Sequence, residues 1–391
     1  MKFKIQKKST YYQLFIIAYS MYFIPSYIEY TLLTSINWIN DIITPLKNVS
    51  YLLCAGLIGI RLLMNKTGFS KFLIYILFGT FFVYASFQFD ARGMMPVMLF
   101  GMAMDQKMDK DLLHYSLHLN IFMYLLIILL SVCGIIGSVG TNLSVARIGA
   151  VTARNSIGFN YPGQLAMQFF PIIFLWFYDR NVRIKKIDYI IFLTLTILVY
   201  LVSGTIMSTM IVFLFLFLNS VVSKHENGGI ISSRIGRFVY CNCPLIFVIL
   251  TFIFIIMVDK GSNIGNLIDA LCSSRFTICA RNINSYGIHP WGSPGFTNYV
   301  DTYIYNIVDS EYIFNILSYG YVFFFVLLVF SYFVLKGVIN KGNNILSIVW
   351  FLYFLNSIVN NGTYNLIMNP FSVLAVDYAI DGLQNKYRQY L

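Results

Sequence analysis

Four arginines stand in the two long polar segments of a chain that is otherwise strongly apolar. They are Arg147 and Arg154, within residues 139–161, and Arg275 and Arg281, within residues 260–311. A guanidinium group can donate two parallel hydrogen bonds to a phosphate and keeps its charge at neutral pH. Taken singly, each arginine is explained about as well by a lipid headgroup or by an ion pair with Asp259, Asp269 or Asp301. Taken together, the four predict a binding site for an anionic ligand.

Asp309 is the acidic residue best placed for proton transfer. It lies one helical turn before an apolar run that begins at Tyr312, so we expect its carboxylate at the boundary between membrane and water. A partly desolvated carboxylate in that position can act as a general base toward a hydroxyl group. Asp309 or Ser310 can also serve as the N-cap of the following helix, and the two roles are compatible. Glu311 is expected to complement the helix dipole from the first turn.

Three other polar features have plainer explanations. His289 could act as a base or a ligand, but it also reads simply as a turn residue beside a proline. Residues 109–111 match the Asp-x-Asp pattern that holds a metal and a nucleotide-sugar in many soluble glycosyltransferases. Here they lie in a short connection with no βαβ unit, so we attribute the match to chance. Cys241 and Cys243 have no histidine partners and the wrong spacing for zinc. We therefore expect no metal site.

The elements that must position these residues are apolar. Hydrophobic residues make up 58% of the chain and charged residues only 11%, far from the average of soluble proteins. Apolar runs long enough to cross a bilayer recur along the whole length. The sequence predicts an all-α, polytopic membrane protein with about twelve spans. We place them near residues 12–30, 49–64, 71–88, 91–105, 117–138, 162–178, 187–203, 205–222, 243–259, 312–335, 344–359 and 365–381.

The basic residues are distributed unequally between the two sides of this predicted membrane domain. The net charge is +11, and if the N-terminus is inside, the 27 Lys and Arg residues divide into 20 on the inner side and 7 on the outer side. This is the distribution that the positive-inside rule gives for a protein with both termini in the cytoplasm. The basic excess is therefore a signal of topology and does not indicate nucleic-acid binding.

The chain is predicted to form one integral membrane domain, residues 1–391, without a soluble module. Two outer loops, 139–161 and 260–311, would form the site, the second being one large extracytoplasmic loop. Connections between spans are usually short, and a long one is usually functional. Within the second loop, Gly265–Arg281 can form an amphipathic helix that lies along the membrane surface.

Three stretches resemble the Wzy-type O-antigen and capsular polysaccharide polymerases. Residues 154–162, Arg-Asn-Ser-Ile-Gly-Phe-Asn-Tyr-Pro, resemble the family's Arg-x-Ser-x-Gly-Phe-x-His-Pro stretch. Ser274-Arg275-Phe276, followed by His289-Pro290-Trp291-Gly292, resembles its outer-loop arginine and Pro-hydrophobic-Gly turn. Val308-Asp309-Ser310-Glu311-Tyr312, followed by Leu317-Ser318-Tyr319-Gly320, resembles the family's Val-Asp-Asn-x-Tyr entry into the next helix. Asn369-Pro370-Phe371 also fits the family.

The chain also departs from that pattern. Tyr161 stands where many relatives have histidine, and Ser203-Gly204-Thr205 lacks the arginine often found in the matching segment. The related O-antigen ligases carry a histidine just before the late outer-loop helix. Asp309 occupies that neighbourhood here, which favours a polymerase over a ligase.

The resemblance implies a multi-pass enzyme of the bacterial cytoplasmic (inner) membrane. It would transfer a growing glycan from undecaprenyl pyrophosphate to a second lipid-linked repeat unit on the outer face, with no metal and no cofactor. Its partners would be undecaprenyl-pyrophosphate-linked oligosaccharide units, with a chain-length regulator and a flippase in the same membrane. The implied catalytic residues are Asp309, Arg275 and Arg154, and the implied substrate-binding residues are Arg147, Arg281, His289, Tyr312 and Asn160.

Two other functions compete with this one. An O-antigen ligase is the alternative enzyme. A polysaccharide or lipid flippase is the alternative without chemistry, and it would need charged residues lining a central cavity. The few charges within the predicted spans lie near span ends, as Arg61 and Asp377 do, whereas charges at mid-depth are the ones that usually mark transport pathways.

Overall fold

The structure, a computed structural model, describes residues 10–64, 75–76, 79–80, 94–141, 154–222, 233–296 and 307–384. The regular elements of this part are helices and one short antiparallel pair of strands, β1 (Gly140–Thr141) with β2 (Arg154–Asn155), which confirms the prediction of a helical chain. The described α-helices are α1 (Thr10–Ile28), α2 (Asn37–Met64), α3 (Met94–Ala103), α4 (Asp109–Val132), α5 (Pro162–Met167), α6 (Phe169–Arg180), α7 (Lys186–Ser203), α8 (Ile206–Val222), α9 (Arg234–Cys241), α10 (Cys243–Asp259), α11 (Asn263–Leu271), α12 (Arg275–Tyr286), α13 (Glu311–Asn340), α14 (Asn344–Asn356) and α15 (Ala375–Leu383).

Four of the described helices, α2, α4, α7 and α13, are long and apolar enough to cross a membrane. A fifth candidate is the pair α9 and α10, which is bent by 57° at its break. Helices α3, α8 and α14 are apolar but shorter. The coarse prediction of a membrane protein is supported at this level. The count of twelve spans and the large outer loop stay predictions. Most of the predicted span 71–88 and all of residues 297–306 lie outside the described ranges.

Helix α13 is two helices joined at a break rather than one straight span. Gly320 has φ 85° and ψ 165°, a backbone conformation outside the helical region. A side chain at this position would be blocked as well, because a Cβ on Gly320 would lie 2.1 Å from the carbonyl oxygen of Pro290. Glycine is therefore required both for the conformation and for the close approach of a second backbone.

The last predicted span, 365–381, has an irregular first half. A 3₁₀ helix covers Pro370–Leu374, and only α15 is α-helical. From 357 to 380 every residue except Asn361 and Asn365 is buried. Irregular backbone at membrane depth is tolerated where the protein surrounds it and its polar groups find partners. One such partner is the hydroxyl of Tyr353, which donates to the carbonyl of Met368 at 2.7 Å.

Helix α15 packs closely along the second half of α13. Gly337 on α13 and Gly382 on α15 have no side chains at the contact, and a Cβ on either would lie about 2 Å from a carbonyl oxygen of the other helix. Small residues at such contacts let helices in a membrane approach each other closely. An ion pair between Lys341 and Asp381, at 3.2 Å, closes the end of this contact.

Candidate functional site

Arg275 and Asp309, which the sequence places in one site, form an ion pair in the structure. The Nε atom of Arg275 lies 3.1 Å from Oδ2 of Asp309, and the two side chains are 19% and 27% exposed. Nη1 of Arg275 donates to the carbonyl oxygen of Val359 and, at 2.6 Å, to Oδ1 of Asn360. Among the contacts with described residues, Nη2 of Arg275 makes none.

The backbone around Arg275 fixes where α12 begins. Ser273 and Ser274 have positive φ angles of 65° and 61°, so the chain turns sharply between α11 and α12. Asp269 then accepts hydrogen bonds from the backbone N–H groups of Phe276 (2.8 Å) and Thr277 (3.2 Å). These bonds satisfy donors that the first turn of a helix leaves unpaired.

This geometry corrects two expectations about the second outer loop. The single amphipathic helix expected over Gly265–Arg281 is interrupted, because the turn at Ser273 and Ser274 separates α11 from α12. The sequence allows Asp269 to form an ion pair with one of the arginines. It is buried and caps α12 instead.

The partners of Arg275 on the opposite side belong to a turn, residues 357–363, which is held by Glu311. Oε2 of Glu311 accepts hydrogen bonds from Oγ of Ser357 (2.9 Å) and from the backbone N–H groups of Gly362 (3.1 Å) and Thr363 (2.9 Å). The N–H of Glu311 donates to the carbonyl of Ser357 at 3.0 Å. A buried carboxylate needs such donors to offset its lost hydration. Glu311 therefore shapes the turn that binds Arg275.

The N-cap position of α13 is filled by Ser310, one of the two residues that the sequence offers for it. Asp309 pairs with Arg275 and lies before the N-cap position, which Ser310 occupies. The side chain of Ser310 makes no cap bond. Its hydroxyl donates to the carbonyl of Ser357 at 3.3 Å. Glu311 is in the first turn, as expected, but its carboxylate bonds to the 357–363 turn.

The turn that contains His289 docks into the break of α13. The N–H groups of Tyr321 and Val322 donate to the carbonyls of His289 (3.1 Å) and Pro290 (3.3 Å). The N–H of Ser293 donates to the carbonyl of Leu317 at 2.7 Å. The turn thus supplies partners to backbone groups that the broken helix leaves unsatisfied. The imidazole of His289 is exposed, with Nε2 3.2 Å from the carbonyl of Tyr286.

Arg154 is positioned by other elements. It lies in β2, and its side chain packs against Gly204 at the C-terminal end of α7, where a Cβ would lie 2.9 Å from Nε of Arg154. Gly204 has a φ of 61° and ends α7 in the left-handed conformation. Among the described residues no carboxylate forms an ion pair with Arg154. The described contacts do not join Arg154 to the Arg275–Asp309 pair.

Asn160 and Tyr312 are bonded to the protein itself. The side chain of Asn160 donates to the carbonyl of Glu29 at 2.7 Å, and its N–H donates to the carbonyl of Tyr30 at 3.1 Å. Asn160 therefore ties the segment after β2 to the end of α1, although its side chain is still exposed. Tyr312 is 4% exposed and its hydroxyl donates to the carbonyl of Phe354 at 2.7 Å. It packs beneath the site.

Two of the four arginines remain, Arg281 and Arg147. Arg281 is exposed on α12, the helix that begins with Arg275. It is available to a ligand on that surface. Arg147 lies outside the described residues, and its predicted role stays a prediction.

The electrostatic environment of Asp309 follows from its burial and its partner. Burial raises the pKa of the Asp309 carboxyl above its usual value, and the positive charge of Arg275 opposes this shift without cancelling it. A carboxylate with a raised pKa is a stronger base than an ordinary aspartate.

Sequence reasoning missed the residues that bind Arg275 and Glu311 on the side of the 357–363 turn. The irregular segment after α14 contains Val359 and Asn360, which bind Arg275, and the groups that bind Glu311. In the sequence this segment looks like the flank of a span. The polar run Asn356-Ser357 followed by Asn360-Asn361-Gly362-Thr363 interrupts an apolar stretch. That interruption is the signal that could have indicated a buried turn.

Comparison of the chain with protein-family models, with curated proteins and with solved structures finds no match. Within the part of the chain that the structure describes, no three His, Cys, Asp or Glu side chains are grouped closely enough to hold a metal ion. The site is defined by its own geometry. It combines a guanidinium held by three partners, a carboxylate of raised pKa beside it and a buried turn that binds the guanidinium.

Proposed function

We propose that the chain is a membrane glycosyltransferase that polymerises lipid-linked oligosaccharides, with Arg275 and Asp309 at its reaction centre. The donor is a glycan joined to undecaprenyl pyrophosphate, and the acceptor is a hydroxyl group of a second lipid-linked repeat unit. The reaction takes place at the outer face of the bacterial cytoplasmic membrane. The sequence motifs given above support this assignment, and so does the pairing of the two residues.

The proposed reaction forms and breaks one bond at the anomeric carbon of the donor. The acceptor oxygen attacks this carbon and the bond to the pyrophosphate oxygen breaks, so the leaving group departs with the electron pair. The transition state is oxocarbenium-like, as in glycoside chemistry generally. The acceptor proton goes to the carboxylate of Asp309.

Arg275 would stabilise the charge that develops on the leaving pyrophosphate. Asp309, Val359 and Asn360 hold its guanidinium, so the free Nη2 edge is oriented before the ligand arrives. Fixed donors of this kind need no reorganisation during the reaction. Arg281 lies on the same helix and would contact the second phosphate or a sugar.

Asp309 would act as the general base, and its pairing with Arg275 is the single observation that carries the proposal. A carboxylate that could serve as a base lies 3.1 Å from a guanidinium that could bind phosphate. A glycosyl transfer from a pyrophosphate carrier needs both groups at one carbon. The raised pKa of Asp309 suits a residue that takes up a proton.

The function is tested by deleting the gene and examining the surface glycan. Loss of a polymerase leaves glycan with a single repeat unit, whereas loss of a ligase leaves lipid-linked polymer that is not transferred. Loss of a flippase leaves repeat units on the inner face. We expect the single-unit pattern, with the ladder of longer chains restored by the wild-type gene. Either of the other two patterns would contradict the proposal.

A further inference from the structure

Helix α10 is flanked at both ends by a short amphipathic helix with an exposed apolar face. On α9, before it, Ile235 is 78% and Phe238 70% exposed. On α11, after it, Ile264 is 63% and Leu267 64% exposed. The bend of 57° between α9 and α10 turns α9 away from the direction of the span. Helices with this arrangement lie in the membrane interface, with the apolar face in the acyl chains.

The two flanking helices differ in charge. Helix α9 carries Arg234 and Arg237, both exposed. Helix α11 has no basic residue, and its one acidic residue, Asp269, is buried as the cap of α12. The apolar faces are therefore alike, but only α9 presents positive charge next to its apolar face.

A third cation joins α9 from the neighbouring helix. Helix α9 packs against α13, and α13 carries Lys336. Across the described residues, no carboxylate forms an ion pair with Arg234, Arg237 or Lys336.

We propose that Arg234, Arg237 and Lys336 bind the phosphate of an anionic phospholipid, whose acyl chains cover Ile235 and Phe238. A lipid fits both halves of this surface at once, because its anionic headgroup can pair with the basic side chains and its acyl chains can cover the apolar ones. A free phosphate would leave the two exposed side chains uncovered. The site lies at the opposite end of α10 from α11 and α12, so it is separate from Arg275 and Asp309.

The proposal is tested by counting phospholipids on the intact purified protein. Wild-type protein in mixed micelles of phosphatidylglycerol and phosphatidylcholine is compared with the double variant Arg234→Gln, Arg237→Gln by mass spectrometry of the complex. Arginines near an anionic surface strengthen the binding of anionic lipid, and replacing two of them should weaken that binding roughly thirtyfold. We expect the variant to retain one phosphatidylglycerol molecule fewer than wild type. Equal retention in the two proteins would overturn the proposal.

Two matched controls separate charge from apolar contact. Lys107→Gln removes one exposed positive charge elsewhere on the predicted inner side and should leave retention unchanged. Leu267→Gln alters the apolar face of α11 and should leave the preference for the anionic lipid unchanged. Thermal stabilisation of the wild type by phosphatidylglycerol should exceed that by phosphatidylcholine. Equal stabilisation by inorganic phosphate alone would show a soluble anion site and contradict the lipid.

Discussion

At the scale of single residues, Arg275 and Asp309 each set the properties of the other. Asp309 holds the guanidinium by Nε, and the positive charge of the guanidinium opposes the rise that burial causes in the pKa of the Asp309 carboxyl. Lysine could supply the charge of Arg275 but not its three directed contacts with Asp309, Val359 and Asn360. This division of roles explains why the site needs arginine at this position.

The first prediction concerns the protonation of Asp309. Arg275 opposes the rise in the pKa of this carboxyl, so Arg275→Gln should move that pKa further upward. Asp309 then remains protonated to a higher pH. As the pH is lowered, any activity that needs its carboxylate should therefore begin to fall at a higher pH in the variant than in wild type. The measurement is the infrared carboxyl band of the purified protein during a pH titration, assigned by its loss in Asp309→Asn. An unchanged titration of that band in Arg275→Gln would show that the pair is not formed.

Sequence reasoning assigned Arg275 and Asp309 to one site, where the structure pairs them, because both residues stand out chemically. An arginine on a face poor in basic residues and an aspartate before a span are visible without a structure. The assignments of Tyr312 and Asn160 as substrate-binding residues rested on motif position, and the structure gives both of them bonds within the protein. Residue type indicates what a side chain can do, whereas its burial and partners decide what it is free to do.

At the scale of elements, the break at Gly320 links the 289–293 turn to α13 and so to the start of that helix at Glu311. We expect Gly320→Ala to displace this turn, because its Cβ would meet the carbonyl oxygen of Pro290 at 2.1 Å and its φ is 85°. The thermal unfolding temperature should fall, with a destabilisation of roughly 2–4 kcal/mol from the two effects.

Gly59→Ala is the matched control for Gly320→Ala. Gly59 lies inside α2 and a Cβ there meets nothing within 4 Å, so the variant should be neutral or slightly stabilising. If Gly320→Ala unfolded at the same temperature as Gly59→Ala, the docking of the turn into the break would be refuted.

A second prediction at this scale tests whether Gly204 positions Arg154. Gly204→Ala should reduce polymer formation as Arg154→Gln does, because the new Cβ would lie 2.9 Å from Nε of Arg154. Gly261→Ala is the control, since Gly261 has a similar φ of 67° but open space around its Cβ. Glycan chain length on gels is the readout. Equal loss in both variants would assign the effect to backbone strain and not to Arg154.

The elements were predicted less completely than the residues. Apolar runs indicated α10 and α14 well, because composition alone marks a helix of that kind. The irregular segment 357–374 was predicted as helix in part, since its burial is supplied by α13 and α14 and not by its own periodicity. The split between α11 and α12 depends on Asp269 capping a helix six residues further on, a contact that no local pattern reveals.

At the scale of the whole molecule, the charge distribution predicts which ends of the helices face outward. Cys133 follows α4 and is the one exposed cysteine among the six, all of which lie within the described residues. It should react with a membrane-impermeant thiol reagent in intact spheroplasts, because α4 begins on the predicted inner side. Cys133→Ser should abolish the labelling. Labelling that appears only after the membrane is opened would reverse the topology and place the Arg275–Asp309 site on the inner side.

The most direct test of the central claim measures polymerisation by the purified protein in vesicles. Its substrate is the lipid-linked repeat unit extracted from the deletion strain, and the readout is release of undecaprenyl pyrophosphate. Asp309→Asn keeps an oxygen that can accept from Nε of Arg275 and removes only the charge and the base. We predict that it folds, with a thermal unfolding temperature near that of wild type, and that release slows by roughly 10²–10⁴-fold. Release at the wild-type rate by a folded Asp309→Asn protein would contradict the assignment of Asp309 as the base.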